Sequence, residues 1–155
     1  MAQTTRNRLR AILTTEVAQM VLVDTPGIHK PHHLLGERLV KSARSAIGEV
    51  DLVVLLLEGC ERPGRGDAFI VNLLQQHSLP VLVALNKWDK LAEEHCAEAD
   101  EAYAALLQET NWPVHRCSAL SGDGCADLTA AMAAQLPLGP QLYPPEMVSD
   151  QPERV

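Results

Sequence analysis

The chain has 155 residues, 46% of them hydrophobic and 21% charged, and a formal net charge of -7. That is the size and composition of one globular domain; it excludes a disordered or fibrous chain, and the acidic balance argues against a general nucleic-acid binder, which needs a basic face. Aromatic residues make up only 3%, so the core has to be built from Leu, Val, Ile and Ala.

Residues 1–10 are polar and basic with no apolar segment behind them, which does not fit a signal peptide. Strands are expected over residues 9–14 and 19–23, the second ending abruptly in Asp24-Thr25-Pro26-Gly27. Leu35, Leu39, Val40, Ala43 and Ile47 then share one helical face. The continuous apolar run 52–57 predicts a strand covered on both faces, as does the run 80–85, and such strands belong to parallel sheets. Between these runs, Phe69, Ile70, Leu73 and Leu74 fall at helical spacing. Cys96, Ala99, Tyr103, Leu106 and Leu107 mark the next helix. A short strand over 114–117 leads through Gly122-Asp123-Gly124 into a last helix carrying Leu128, Ala131, Met132, Gln135 and Leu136.

Strand–helix alternation of this kind predicts an open α/β sheet with right-handed crossovers. The domain is expected over residues 1–136, with a linker over 137–155 because of Pro137, Pro140, Pro144, Pro145 and Pro152. No apolar run approaches the roughly 18 residues a membrane span needs. Cys60, Cys96, Cys117 and Cys125 lie in no C-x-x-C and match neither a zinc site nor a disulfide framework, so free thiols in a reducing cytoplasm are expected.

Open α/β sheets bind ligands at the carboxyl ends of their strands. Here those ends carry Asp24-Thr25-Pro26-Gly27, Glu58-Gly59-Cys60, Asn86-Lys87-Trp88-Asp89 and Ser118-Ala119-Leu120. Alone, the first is a turn signal and the third a loop with a helix cap. In this order, each after a strand, they are similar to the guanine-nucleotide apparatus of translation-factor-class GTPases. The runs Thr4-Thr5-Arg6, Asp24-Thr25-Pro26-Gly27-Ile28-His29-Lys30 and Met147-Val148-Ser149-Asp150-Gln151-Pro152-Glu153-Arg154 resemble the Era-type bacterial GTPases, and the resemblance covers nearly the whole chain. It implies a three-layer, Rossmann-like P-loop NTPase G domain that binds GTP or GDP with Mg²⁺ and hydrolyses GTP. It further implies a role in 16S rRNA processing and 30S subunit assembly, and a cytoplasmic location with the inner membrane face as a peripheral alternative.

The residue chemistry fits that ligand. Asp89 offers two carboxylate oxygens to the adjacent N1–H and 2-amino donors of guanine, an edge that adenine lacks, so a site built on this pair discriminates strongly. Asn86 can bridge base and neighbouring loops, Lys87 can lay its aliphatic stem along the base, and the Ala119 N–H can donate to guanine O6. Trp88 and Leu120 belong to the motifs without an assigned contact. Asp24 would reach Mg²⁺ through a water, Gly27 would bring its N–H close to the γ-phosphate, and Thr5, with Thr4 as reserve, is the switch threonine for Mg²⁺. Thr25, Pro26 and Ile28 complete a second switch over 24–36. Ile28 cannot orient a water, so no catalytic base is named and slow turnover is expected. His29, His32 and His33 lack a fixed fourth ligand and read as switch-loop residues, not a metal site.

Such a G domain also needs G-x-x-x-x-G-K-[ST], which cradles the phosphates. The sequence has none. Gly59-Cys60-Glu61-Arg62-Pro63-Gly64-Arg65-Gly66 imitates the spacing, but Arg65 and Gly66 stand where Lys and Ser/Thr are required, Pro63 removes a donor, and the run follows the Asp24 motif instead of preceding it. The expectation is therefore a G domain lacking its first strand, phosphate-binding loop and first helix through N-terminal truncation, and lacking the KH domain that follows in similar proteins. The absent strand would lie between those ending at Val23 and Leu57. Arg6, Arg8 and Arg10 form a small basic cluster that a solvated strand face explains as well. The rival reading is a nucleotide-free remnant or interaction module without GTPase activity.

Overall fold

The structure is a computed structural model and describes residues 10–23, 41 and 44–148. Two compact units divide the chain, Met1–Glu49 with Pro137–Val155, and Val50–Leu136.

In the first unit, β1 (Arg10–Thr14) pairs antiparallel with β2 (Gln19–Val23) from Arg10↔Val23 to Thr14↔Gln19. The turn between them closes because Thr15 N–H donates to the Ala18 carbonyl at 2.8 Å while Thr15 Oγ1 accepts from Ala18 N–H at 3.1 Å, the local side-chain bonding that makes threonine a turn former. Gln19 ties this hairpin to the proline-rich stretch read from the sequence as a linker. Its Oε1 accepts from the N–H groups of Leu142 (3.0 Å) and Tyr143 (2.9 Å), and its Nε2 donates to the Tyr143 carbonyl at 2.8 Å. Ile12 N–H adds a bond to the Val148 carbonyl at 2.9 Å. Of the helix expected around residues 35–47, residues 44–47 are helical and bury Ala46 and Ile47; Leu35, Leu39, Val40 and Ala43 lie outside the described residues.

The second unit runs β3 (Val53–Glu58), α1 (Arg65–Gln75), β4 (Val81–Asn86), α2 (Cys96–Leu106), β5 (Val114–Arg116) and α3 (Cys125–Gln135). Its sheet is parallel with order β3-β4-β5, and the register sets Glu58 beside Asn86 and Leu85 beside Arg116. The core lies on β4, where Leu82, Val83, Ala84 and Leu85 are at most 2% exposed, joined by Leu73 and Leu74 of α1 and Tyr103 of α2. One expectation needs correcting. β3 is not covered on both faces: Leu55 and Leu57 are buried, but Leu56 is 61% exposed. Among the described residues β3 is at the edge of its sheet; its side chains alternate between opposite faces, and the face that carries Leu55 and Leu57 is the buried one.

The Gly59 to Gly66 run forms a turn and the start of α1, and the Gly64 N–H that a phosphate would require is taken by Asp67 Oδ2 at 2.7 Å. All four cysteines are free thiols. Among the described residues no helix is long and apolar enough to cross a membrane.

Candidate functional site

The site grows from the carboxyl end of the buried strand β4. Its last residue, Asn86, accepts the Gly59 N–H on its carbonyl at 2.8 Å, which draws the loop after β3 against it. Space there is tight: a Cβ on Gly59 would stand 3.0 Å from Leu85 Cβ and 3.0 Å from Trp88 Cε3, so a larger residue would have to displace these side chains. The chain then reverses at Lys87, whose φ of 60° makes it the one non-glycine residue with positive φ among the described residues. That left-handed conformation costs about 1–2 kcal/mol and persists only where the surroundings enforce it. Here they do. Trp88 N–H donates to the Cys117 carbonyl at 3.2 Å, and Lys90 N–H closes a 3-10 turn onto the Lys87 carbonyl at 3.0 Å.

The second loop continues from β5. Cys117 N–H extends the ladder to the Leu85 carbonyl at 2.9 Å, Ser118 N–H donates to Asp123 O at 2.9 Å, and Gly122 N–H returns to Ser118 O at 2.8 Å. Gly124 (φ +75°) lets α3 begin close to β5, since a Cβ there would lie 2.2 Å from the Arg116 carbonyl oxygen.

Side chains then join the two loops. Ser118, 2% exposed, donates its hydroxyl to Asp89 Oδ1 at 2.7 Å and accepts from Ser121 N–H at 3.1 Å. Asn86 Oδ1 accepts from Ala119 N–H at 3.0 Å. The buried hydroxyl is therefore satisfied as donor and acceptor, as a buried polar group must be. It fixes one oxygen of an otherwise exposed carboxylate, and Asp89 Oδ2 has no protein partner among the described residues. The Ala119 N–H, expected to face a base oxygen, is engaged by Asn86 in this arrangement.

Two cations beside the loops, Lys87 and Arg116, have acidic partners. Lys87 Nζ forms an ion pair with Glu58 Oε1, and the hydrogen bond and charge of Lys87 hold the Glu58 carboxyl below its usual range while raising Lys87 in turn. Tyr103 Oη lies 2.7 Å from the carbonyls of both Glu58 and Glu61, and burial, reinforced by nearby acidic groups, pushes its phenol up to about 12. Burial likewise raises the Cys117 thiol. The Arg116 guanidinium stands 4.6 Å from the centre of the Trp88 ring and pairs with Asp100 of α2.

The structure thus brings Asn86, Lys87, Trp88, Asp89, Ser118 and Ala119 to one rim, with Leu120 following at 86% exposure. Thr5, Asp24, Thr25, Pro26, Gly27 and Ile28, with His29, His32 and His33, lie outside the described residues. Among the described residues no three His, Cys, Asp or Glu side chains gather as a metal site. Sequence reasoning left Tyr103 and Arg116 without a role at the rim. Their only signal was position: one sits on a helix facing the strand ends, the other immediately before Cys117-Ser118.

Known proteins share this sequence and fold. The chain is 50% identical over 153 residues to GTPase Era of Crocosphaera subtropica, covering 99% of this chain and 48% of the relative. It is 47% identical over 153 residues to GTPase Era of Clostridium botulinum, covering 98% and 51%. The chain spans about half the length of the curated relatives it matches. Among solved structures, Era in complex with MgGDPNP and nucleotides 1506–1542 of 16S ribosomal RNA matches with a TM-score of 0.77 at 26% identity, over 98% of this chain and 52% of that one. Elongation factor SelB of Methanococcus maripaludis with the GTP analogue GppNHp matches with a TM-score of 0.66 at 21% identity, over 83% and 28%, which shows a shared fold. The fold is that of the P-loop GTPases, and with residues 1–87 matching its pattern the chain belongs to the family of 50S ribosome-binding GTPases.

Proposed function

We propose that the chain is the guanine-nucleotide-binding G domain of an Era-like protein that acts in 16S rRNA processing and 30S ribosomal subunit assembly. The observation that carries the base site is the 2.7 Å hydrogen bond by which the buried Ser118 orients the exposed Asp89 carboxylate. A carboxylate held in that way presents acceptors to two adjacent N–H donors, and adenine, lacking them, would leave an acceptor unpaired. Asn86 links the two loops, Lys87 covers the base with its stem, and Ala119 N–H reaches the base oxygen once Asn86 releases it.

The phosphate side of the proposal rests on sequence alone. Asp24 reaches Mg²⁺ through water, Thr5 joins it when triphosphate is bound, and Gly27, flanked by Thr25, Pro26 and Ile28, offers its N–H to the γ-phosphate. Because the 155 residues contain no G-x-x-x-x-G-K-[ST], the selective contacts available within them are chiefly those to the base. The rRNA partner is proposed from the Era structure bound to 16S rRNA nucleotides, and a cytoplasmic setting from the family resemblance. The test is titration of the purified chain with fluorescent GDP. Saturable binding in the micromolar range is expected, with ADP at least about 100-fold weaker and Asp89→Asn shifting preference toward xanthosine diphosphate. Absence of saturable binding would support the second reading, a nucleotide-free interaction module, which is favoured by the mutual satisfaction of Asn86 Oδ1 and Ala119 N–H.

A further inference from the structure

Trp88 touches no base in the proposed site, yet it is held from several directions. Its backbone N–H donates to the Cys117 carbonyl at 3.2 Å. Its ring packs where a side chain on Gly59 would be, with Cε3 3.0 Å from that Cβ position. The Arg116 guanidinium lies 4.6 Å from the ring centroid. Arg116 is itself oriented by its ion pair with Asp100 on α2. It is also the last residue of β5, two positions before the Ser118 that holds Asp89.

We infer that Arg116 is a positioning residue for guanine-nucleotide binding: set over Trp88 and steadied by Asp100, it clamps the loop after β4 to the loop after β5 and so keeps Asn86 and Asp89 in register with Ser118 and Ala119. An isolated surface ion pair would do little, but this guanidinium engages a carboxylate and an aromatic face together. A cation that must sit over an aromatic ring and pair with a carboxylate at once suits arginine better than lysine. Trp88 opens the short turn that follows the left-handed Lys87 and contains Asp89, so freeing its ring loosens the segment that carries the specificity carboxylate. The inference rests on the proposed base site, and the experiment separates the two.

The chain has two tryptophans, so Trp112→Phe leaves Trp88 as the sole emitter. In that background Arg116→Ala is expected to shift Trp88 emission to the red, at least double its quenching by acrylamide, and raise the dissociation constant for fluorescent GDP about tenfold. Arg116→Lys, which keeps the charge but not the guanidinium, should recover only part of the affinity, and Asp100→Asn should fall between wild type and Arg116→Ala. Asp100→Asn also serves as the second variant should Arg116→Ala not fold. If wild type fails to bind GDP, the base-site reading falls and takes this inference with it. If wild type binds and Arg116→Ala binds equally well, the base site stands and the clamp is overturned. Weaker binding with unchanged Trp88 quenching would overturn the route through Trp88.

Discussion

β4 and β3 lie side by side with almost the same vocabulary, VLVALN against VVLLLE, yet they live in different surroundings. Every residue of β4 from Val81 to Leu85 is buried, whereas β3 alternates and leaves Leu56 61% exposed. The difference shows that an apolar run specifies a strand but not how many of its faces are covered; that depends on what packs above and below the sheet at that strand. It also explains the division of labour at the rim. Asn86 extends the buried strand, and Leu85 O receives the Cys117 N–H that launches the second loop. Glu58, extending the edge strand, contributes an exposed ion pair to Lys87. The side chains that would read a base hang from the best-packed part of the sheet, where precision of placement is greatest.

The comparison breaks most sharply on core truncation. Leu82→Ala is expected to cost about 3 kcal/mol of unfolding free energy in urea titration, through lost burial and the cavity left behind. Leu56→Ala should stay within about 0.5 kcal/mol. Equal losses would show that both strands share the same cover. Next in size is Ser118→Ala, which leaves the Ser121 N–H and Asp89 Oδ1 without their partner; about 1 kcal/mol of stability is expected to go. A larger fractional loss of GDP affinity than of ADP affinity should accompany it, because what is disturbed is the orientation of Asp89.

How far these features could be read from the sequence depended on their range. Asn86-Lys87-Trp88-Asp89 and Ser118-Ala119-Leu120 stood out because polar residues at the end of an apolar strand have few reasons to be there other than turns and ligands. Gly122-Asp123-Gly124 marked the entry to the last helix, and there both glycines adopt positive φ. The exposure of Leu56 was hidden because the coverage of a strand's second face is not written in the strand itself. The Tyr103 bonds to Glu58 and Glu61 and the placement of Arg116 over Trp88 were hidden for a related reason: each joins residues that only sheet register and helix packing bring together. Lys87 is the instructive case. Nothing in its side chain favours a left-handed backbone, and only the loop contacts around it force one.

Tyr103 sharpens the comparison at the β3 end. Tyr103→Phe removes the hydroxyl that meets the Glu58 and Glu61 carbonyls, at an expected cost of about 1 kcal/mol. Its folded phenol is pushed up to about 12, chiefly by burial, above the ordinary value near 10. The raised value means that the folded state favours the neutral phenol. Its stabilisation is therefore complete below pH of about 10 and is lost as pH rises from there through about 12. A denaturation series across that window should show the decline in wild type and a shallower one in Tyr103→Phe.

The smallest effect belongs to the ion pair at the end of the edge strand. Glu58→Gln is expected to change GDP affinity by less than about twofold and to leave a thermal melt unmoved within error, because exposed ion pairs in water gain little net energy. Lys87 holds the Glu58 carboxyl below its ordinary value, so the little stability it gives exists above that value and fades as the solution is acidified through the lowered one. A loss of affinity comparable to that of Asp89→Asn would mean that Glu58 fixes the Lys87 stem against the base, and β3 would then share with β4 the work of building the site.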